Sequence, residues 1–160
     1  MLFQGQELLE DRWFQDRDPI DWTRTKGENG ILSMYRDLIA LRRNRSGVTR
    51  GLCGQNIHIY HVDNEAKVIA FHRSDKEGPK DSVIVVVNMT NQNRDGYVIG
   101  FPRAGLWKTR FNSDSYKYSP NFANHPTTYV ETRAEGIDGL RCSGEIGIGP
   151  YTVVIFSQDE

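Results

Sequence analysis

Two stretches decide the fold of this chain: Lys67-Val-Ile-Ala-Phe-His-Arg73 and Ser82-Val-Ile-Val-Val-Val-Asn88. Both are rich in β-branched residues, which suit the pleated and half-buried surface of a strand. Asn56-Ile-His-Ile-Tyr-His-Val62 precedes the first stretch across the turn Asp63-Asn64-Glu65, so this pair predicts a hairpin. The second stretch is almost continuously apolar, which is typical of a strand that is covered on both faces. These segments should form the core of a sheet.

Short strand-like segments continue to the end of the chain. They cover residues 96–101, 105–112, 127–132 and 145–157, and we expect Gly149-Pro150 to bend the last one. Clusters of Gly, Pro, Asn and Asp separate them, which is a pattern typical of antiparallel sandwiches. The sequence therefore predicts a mainly β fold, an antiparallel β-sandwich of Greek-key type.

One amphipathic helix precedes these strands. Between residues 28 and 44 the apolar side chains recur at helical spacing, and the stripe contains Ile31, Tyr35 and Leu38. Glycines then interrupt the chain on the way to the first strand, as expected at a boundary. We therefore expect two parts, residues 1–47 with the helix and residues 48–160 with the sandwich domain.

Composition excludes several classes of partner. The chain has 160 residues, with 20 basic and 21 acidic side chains and a net charge of -1. Such a balance gives no electrostatic reason to bind nucleic acid or an anionic membrane. Neither an apolar run of about 18 residues nor a secretory leader is evident, so we expect a cytoplasmic protein.

Histidines and cysteines do not form a convincing metal site. Cys53 and Cys142 are far apart in the sequence and suggest free thiols, since no second cysteine accompanies either. His58 and His61 are separated by an odd number of positions, so they should lie on opposite faces of one strand unless a bulge intervenes. We expect neither a metal nor a cofactor.

Aromatic residues offer one route to sugar binding. A platform formed by Trp107, Tyr116, Tyr118 and Tyr129 would make the chain an autonomous carbohydrate-binding module. The exposure of these rings decides that alternative, because rings buried between sheets belong to the core. Residues 112–126, rich in Ser, Asn, Tyr and Pro, form the one connection that is long enough to be a functional loop.

The opening stretch Leu2-Phe3-Gln4-Gly5, followed by Glu7, Asp11, Trp13, Asp21 and Trp22, resembles glycoside hydrolase family 13, in its α-amylase and 1,4-α-glucan branching enzyme branch. Residues 1–6 resemble the last strand of the catalytic (β/α)8 barrel, residues 7–26 the following loop, and residues 28–44 the last barrel helix. Further matches in the same order resemble the C-terminal β-sandwich that follows this barrel: Val68-Ile-Ala-Phe-His-Arg73, Val85-Val-Val-Asn88, Gly100-Phe-Pro102, Phe111-Asn-Ser-Asp114 and Gly149-Pro-Tyr151.

This resemblance implies the end of a barrel and a C-terminal domain of an α-1,4-glucan-processing enzyme of glycogen or starch metabolism. The catalytic carboxylates of the family lie on barrel strands upstream of the match, so no catalytic residue is assigned and we expect the isolated chain to be inactive. By the same resemblance Glu7, Asp11, Trp13 and Trp22 lie at the face where such barrels bind substrate. Glu7 either contacts the substrate site or is a loop carboxylate bonded to backbone amides or to Arg12.

The resemblance also implies partners. α-Glucan would bind weakly, through Trp13 and Trp22 or through the rings of the sandwich, and the missing catalytic barrel is itself a partner. Without the barrel, residues 1–45 would expose apolar surface and favour self-association, while the helix folds back onto the sandwich. A protein-interaction domain is the other alternative, and a contiguous apolar patch would indicate it.

Overall fold

The computed structural model describes residues 4–13, 15–26, 30–76, 78 and 81–159. Within these ranges the chain forms one α-helix and eight strands. Three short 3₁₀ helices lie at Gln6–Leu8, Trp22–Thr25 and Arg50–Leu52. The main elements are α1 Gly30–Arg42, β1 Asn56–Asp63, β2 Val68–Ser74, β3 Val83–Asn88, β4 Arg94–Phe101, β5 Leu106–Asn112, β6 Val130–Glu131, β7 Cys142–Ile148 and β8 Val153–Ser157.

The strands form two antiparallel sheets, as the sequence predicts. One sheet has six strands in the order β1-β2-β3-β8-β5-β6, and the other pairs β4 with β7. The two central strands, β3 and β8, pair from Val83 opposite Ser157 to Val87 opposite Val153. The prediction of a mainly β antiparallel fold preceded by one helix is confirmed.

Apolar side chains between the two sheets form the larger core. It draws on both sheets, and Trp107, Phe101 and Phe156 are its largest fully buried members. The Phe101 and Trp107 rings pack with centroids 5.2 Å apart. Gly144 in β7 lies under this cluster, where an added Cβ would meet Val130 Cγ1 at 2.4 Å. Close packing of the sheets therefore requires a residue without a side chain at this position.

A second core lies on the opposite face of the six-stranded sheet. Its buried members are Leu52, Val83, Val85, Phe111, Tyr118 and Ile155. The helix covers this core with Met34, Leu38 and Leu41. The side chain of Thr49 joins the helix end to the 3₁₀ helix Arg50–Leu52, which Thr49 precedes, because its hydroxyl donates to the carbonyl of Leu41 over 2.8 Å. The helix folds back onto the sandwich, as expected. We call the whole of this face of the six-stranded sheet, from β5 to β1, the helix-side face.

The structure changes several predicted boundaries. Leu2 and Phe3, expected in a strand, lie outside the described residues, and Gln4 and Gly5 form a turn that leads into Gln6–Leu8. The predicted segment 127–132 is reduced to β6, while the predicted segment 145–157 starts earlier and divides into β7 and β8. Pro150 and Tyr151 form the turn between these two strands.

The prediction that His58 and His61 lie on opposite faces is wrong. The strand pair β1 and β2 contains a bulge between Ile59 and His61, so His58 lies opposite His72 and His61 opposite Ala70. Because His72 and Ala70 are two residues apart on β2, both β1 histidines lie on the same face. The inserted residue, Tyr60, packs against the larger core.

Gly30, at the start of the helix, should not tolerate alanine, although helix propensity alone predicts that alanine would stabilise the chain. Alanine usually stabilises a helix by about 1 kcal/mol relative to glycine. A Cβ on Gly30, however, would lie 1.9 Å from the backbone carbonyl oxygen of Tyr118. We therefore expect Gly30→Ala to lower the free energy of unfolding by about 1–3 kcal/mol, because the backbone of a packed loop must move.

Gly78→Ala is the matched control, since an added Cβ there meets nothing within 4 Å. Urea unfolding followed by tryptophan fluorescence measures both variants. A Gly30→Ala protein as stable as the parent would show that the helix does not dock on Tyr118.

Candidate functional site

Two arginines hold the N-terminal loop, residues 4–13 and 15–26, in shape. Arg12 forms a two-pronged ion pair with Glu10, with Nε 2.8 Å from Oε1 and Nη2 2.7 Å from Oε2. The same Nη2 donates to the carbonyl of Pro19 over 2.9 Å. The hydrogen bond from Arg12 holds the pKa of Glu10 at about 2, well below its ordinary value. Glu10 is therefore a structural carboxylate that stays ionised.

Arg24 closes the other half of the loop. Its Nη2 lies 2.7 Å from Asp11 Oδ1, and its Nη1 donates to the carbonyl of Leu9. The hydrogen bond from Arg24 lowers the pKa of Asp11. Asp21 caps the short helix Trp22–Thr25, because its Oδ1 accepts the Thr23 N–H over 3.0 Å. The Thr23 hydroxyl also donates to Asp21 Oδ1, over 2.6 Å. The bonds from the Thr23 hydroxyl and N–H lower the pKa of Asp21. Neither Asp11 nor Asp21 has the raised pKa of a proton donor.

Trp13 and Trp22 are the exposed rings of this loop. The exposed fraction is 88% for Trp13 and 64% for Trp22. Trp13 forms one wall of a cavity of about 180 Å³, which also has Gln4, Gln6, Gln15 and Asp18 on its walls. An aromatic face beside amide and carboxylate groups is the combination that binds a sugar ring, because the ring has one apolar face and hydroxyls around its edge.

Glu7 lies apart from this ion-pair network. It is half-buried in the 3₁₀ helix Gln6–Leu8. Arg12 pairs with Glu10, whereas Arg12 was one of two possible partners considered for Glu7. The role of Glu7 in substrate binding stays a prediction.

The four rings of the alternative aromatic platform do not form one exposed surface, because two of them are buried. Trp107 is fully buried in the larger core, and its Nε1 donates to the carbonyl of Arg103 over 3.1 Å. Tyr118 is 6% exposed and packs in the second core. Both rings are therefore unavailable for stacking on a sugar. Tyr116 and Tyr129 are exposed, at 59% and 62%, and lie on the connection between β5 and β6.

Tyr118 joins the connection between β5 and β6 to the helix. Its hydroxyl donates to Asp37 Oδ2 over 2.6 Å, and Lys117 pairs with the same carboxylate. Burial alone would raise the pKa of Asp37, but the bonds from Lys117 and Tyr118 outweigh it and lower that pKa. Burial, together with the bond to Asp37, raises the pKa of Tyr118. A groove of about 390 Å³ runs beside this contact, between the helix end and β5.

The described residues contain neither a cluster of metal-binding side chains nor a helix that could cross a membrane. No three side chains of the types His, Cys, Asp and Glu come together in a way that could hold a metal ion. In the part of the chain that the structure describes, no helix is long and apolar enough to cross a membrane.

Comparison with known proteins now identifies the sandwich. A sequence model described as "Alpha amylase, C-terminal all-beta domain" matches residues 58–159, which include β2 to β8 and nearly all of β1. The chain belongs to the alpha-amylase C-terminal all-beta domain family. Residues 58–159 contain both sheets apart from the first two residues of β1, so the family assignment covers the sandwich.

Relatives of this family member extend the likeness upstream. The chain is 36% identical over 123 residues to a 1,4-alpha-glucan branching enzyme GlgB of Burkholderia thailandensis. The aligned segment covers 74% of the chain and 14% of that enzyme. The GlgB enzyme of Rhodospirillum rubrum is 32% identical over 163 residues, which is 99% of the chain and 22% of that enzyme. An alpha-amylase structure from H. orenii covers 84% of this chain and 22% of its own, with 18% identity and a TM-score of 0.49. The chain thus spans 14% of the length of the Burkholderia enzyme and 22% of the length of the Rhodospirillum enzyme.

Sequence reasoning missed the residues that organise the N-terminal loop. Arg24 and Glu10 show no motif, since an arginine 13 or 14 positions after its carboxylates carries no periodic signal. Glu10 and Arg12 are two positions apart, and this spacing does not predict a contact, since neighbours on a helix face are three or four positions apart. Asp37 and Lys117 are 80 positions apart, so only the fold reveals their contact.

The contact between Asp37 and Tyr118 generates a prediction about pH. An aspartate with a lowered pKa in the folded state contributes stability above its ordinary pKa of about 3.9, and this contribution disappears as the pH falls through the lower folded value. Because Lys117 is well exposed, we assign the effect mainly to the buried hydroxyl of Tyr118. Asp37→Asn should cost about 1 kcal/mol at pH 7.

The difference between Asp37→Asn and the parent should shrink below about pH 4, where the parent loses the same charge. Urea unfolding at a series of pH values measures it. Asp16→Asn, in the exposed part of the N-terminal loop, is the control for a general loss of charge. An equal cost of Asp37→Asn at every pH would show that the carboxylate charge is not what binds the helix.

Proposed function

We propose that this chain supplies the C-terminal β domain of a cytoplasmic 1,4-α-glucan branching enzyme, with residues 1–47 as the end of its catalytic barrel and residues 48–160 as the sandwich. The observation that carries this proposal is the extent of the likeness to the Rhodospirillum rubrum enzyme, which covers 99% of the chain. The domain family accounts for residues 58–159. The N-terminal loop and α1, which precede that domain, therefore share the likeness to a branching enzyme.

The chemistry of glucan cleavage comes from outside the described residues. Retaining glycosidases use two carboxyl groups about 5–5.5 Å apart, and one of them must be protonated before it can act as an acid. Three carboxylates of the N-terminal loop have the opposite character: arginines lower the pKa values of Glu10 and Asp11, and the hydroxyl and N–H of Thr23 lower that of Asp21. This chain thus contributes substrate contacts and support, and the isolated chain is inactive.

The N-terminal loop is the proposed substrate contact. Trp13 is exposed beside a cavity with amide and carboxylate walls, and Trp22 is the second exposed ring of the same segment. The ion pairs of Arg12 and Arg24 hold this loop in one shape, which reduces the entropy lost on binding. A carbohydrate-binding module on the sandwich is disfavoured, because Trp107 and Tyr118 belong to the cores.

The helix-side face is the proposed contact with the barrel. On the β1 strand Ile57, Ile59 and Val62 are more than half exposed, and they lie opposite Arg73, Phe71 and Ile69 of β2. These residues continue the rows of the second core, in which Phe71 pairs with Val85 and Val85 with Ile155. The helix covers the part of these rows near Val85 and Ile155 and leaves the β1 side open. A sheet that is apolar on both faces is normally covered on both faces.

A domain replacement tests the proposed function. The matching segment of the Rhodospirillum rubrum enzyme, 22% of its length, is replaced by this chain. We expect the chimera to branch amylose, as measured by the loss of iodine colour, and the isolated chain to show no activity in the same assay. A folded chimera without activity, or activity of the isolated chain, contradicts the proposal.

The uncovered residues of β1 give a sharper variant of this experiment. Ile59→Lys should leave the isolated chain folded, because the residue is 57% exposed, but it should lower the thermal stability of the chimera by several degrees. Val98→Lys, at an exposed valine of β4, is the matched control that should affect neither. Equal behaviour of the two variants in the chimera would exclude the helix-side face as the contact.

Sugar binding by the N-terminal loop is expected to be weak. A single stacked ring contributes little once the entropy of association is included, so the isolated chain should bind maltoheptaose with a dissociation constant in the millimolar range. NMR titration should shift the indole signals of Trp13 and Trp22 and leave that of the buried Trp107 in place. A shift of Trp107 alone would locate the sugar on the sandwich.

A further inference from the structure

A groove between the end of α1 and β5 combines positive charge with hydroxyl groups, and we call it the α1–β5 groove. Its volume is about 390 Å³, and the charged side chains on its walls are Asp37, Arg45, Arg110 and Lys117. Three of these four side chains are basic, although the whole chain has a net charge of -1. The walls of the groove are therefore more positive than the protein as a whole.

Asp37 is the one carboxylate among the described residues of these walls, and its charge is already balanced. Its Oδ2 pairs with the Lys117 ammonium and accepts the Tyr118 hydroxyl over 2.6 Å. Asp37 therefore repels an incoming anion less than an unpaired carboxylate would. The Lys117 ammonium has three protons, and the pair with Asp37 leaves it donors for a ligand in the groove.

Arg110 adds a positive group that is fixed in position. Its Nε donates to Ser157 Oγ over 2.9 Å, and its Nη2 pairs with Asp159. The Arg110 side chain is only 18% exposed, so the protein orders the guanidinium before any ligand arrives. Lys108 pairs with the same Asp159 carboxylate, so two basic groups share one negative charge there.

Arg45 provides the positive charge that the protein does not neutralise. Its side chain is exposed at the wall of the groove, and within the described residues its guanidinium has no hydrogen-bond or ion-pair partner. A guanidinium carries a fork of N–H donors that matches the oxygens of a phosphate or a carboxylate. Arg45 can therefore bind an anion without breaking a contact of the folded chain.

The end of α1 does not oppose an anion, although the last carbonyls of a helix carry partial negative charge. The Arg45 N–H donates to the carbonyl of Ala40 over 3.1 Å. The Asn44 N–H and the Thr49 hydroxyl donate to the carbonyl of Leu41 over 2.9 and 2.8 Å. These donors satisfy carbonyls that the helix itself leaves open.

The remaining walls of the α1–β5 groove suit a sugar ring. Ser46 and Ser115 supply hydroxyl groups, and Leu41 and Phe111 supply apolar atoms. Ser115 Oγ accepts the backbone N–H of Lys117 over 3.2 Å and keeps its own proton for a ligand. The volume of the groove is in the range of small-molecule sites, so a phosphate ion alone would leave most of it empty.

We propose that the α1–β5 groove binds a phosphorylated sugar. The phosphate contacts Arg45, Arg110 and Lys117, and the sugar hydroxyls contact Ser46 and Ser115. A phosphate monoester carries between one and two negative charges at neutral pH, which the unpaired Arg45 and the remaining donors of the other two basic groups complement.

This site is separate from the N-terminal loop that we propose as the glucan contact. Leu9 and Arg24 of that loop lie with Gly30 and Ile31 around another groove, at the start of α1. The helix has 13 residues and is therefore about 20 Å long, and the α1–β5 groove lies at its other end. Phosphorylated-sugar binding can therefore be tested without any assumption about the branching reaction.

NMR titration of the intact chain with glucose 6-phosphate tests the proposal. We expect a dissociation constant of about 0.1–1 mM, with saturable shifts of the backbone amides of Ser46 and Ser115. Glucose and inorganic phosphate each offer half of the contacts, so each should bind at least about tenfold more weakly. No saturable shift with glucose 6-phosphate, shifts only outside the groove, or equal affinity for inorganic phosphate overturns the proposal.

A pair of arginine variants locates the phosphate. Arg45→Gln removes a side chain without a partner in the described part of the chain, so it should leave urea unfolding unchanged and weaken glucose 6-phosphate binding about tenfold. Arg43→Gln is the matched control, because Arg43 is exposed at the same helix end but does not line the groove. It should bind like the parent. Equal affinities of the two variants for glucose 6-phosphate overturn the proposal.

Discussion

The burial of β3 and β8 on both faces is the constraint on which the rest of the structure depends. Val83, Ile84 and Val86 of β3 are fully buried, and Val154 and Phe156 of β8 are equally inaccessible. Burying one such side chain contributes about 1.5–3 kcal/mol, so each face of the central pair needs its own cover. The small sheet of β4 and β7 covers one face, and α1 covers the other. The three-layer arrangement follows from this one apolar run.

Buried polar side chains fix the turns around that centre. Asn88 at the end of β3 donates to the carbonyls of Gln92 and Gly149 over 2.7 and 2.8 Å, which ties the β3 end to the turn before β8. Asp114 accepts the N–H groups of Ala123 and His125 over 2.9 and 2.8 Å, and so shapes the connection that docks against the helix. Asn88 and Asp114 both have backbone partners, and an unpaired polar group at such a buried position would be costly. The turns are thereby as well determined as the strands.

The sequence predicted the elements better than the contacts between them. The central strands were predictable because a continuous apolar run such as Val83 to Val87 is a strong local signal. The bulge that turns His61 towards the small sheet has no such signal, since it depends on how Tyr60 packs against the larger core. The exposure of individual aromatic side chains was likewise not predictable from the sequence. Trp107 and Trp13 have the same side chain, but the fold buries Trp107 and exposes Trp13. The Glu10 and Arg24 ion pairs of the N-terminal loop belong to the same class of unpredictable contact.

The uneven cover of the helix-side face connects the stability of the domain with its proposed place in a larger enzyme. The rows of the second core run without a break from Phe111 to Ile59, yet exposure rises from 4% to 57% along them. A domain selected only to fold alone would place polar side chains on the open half, since antiparallel sheets with one solvated face alternate apolar and polar residues. The apolar residues on the open side of β1 therefore support the proposed contact of this face with the barrel. His61 lies on the other face of the same edge strand, where its ring contacts Asp138 and Tyr97. One face of β1 therefore takes part in the packing of the sandwich, and the other face is the proposed contact with the barrel.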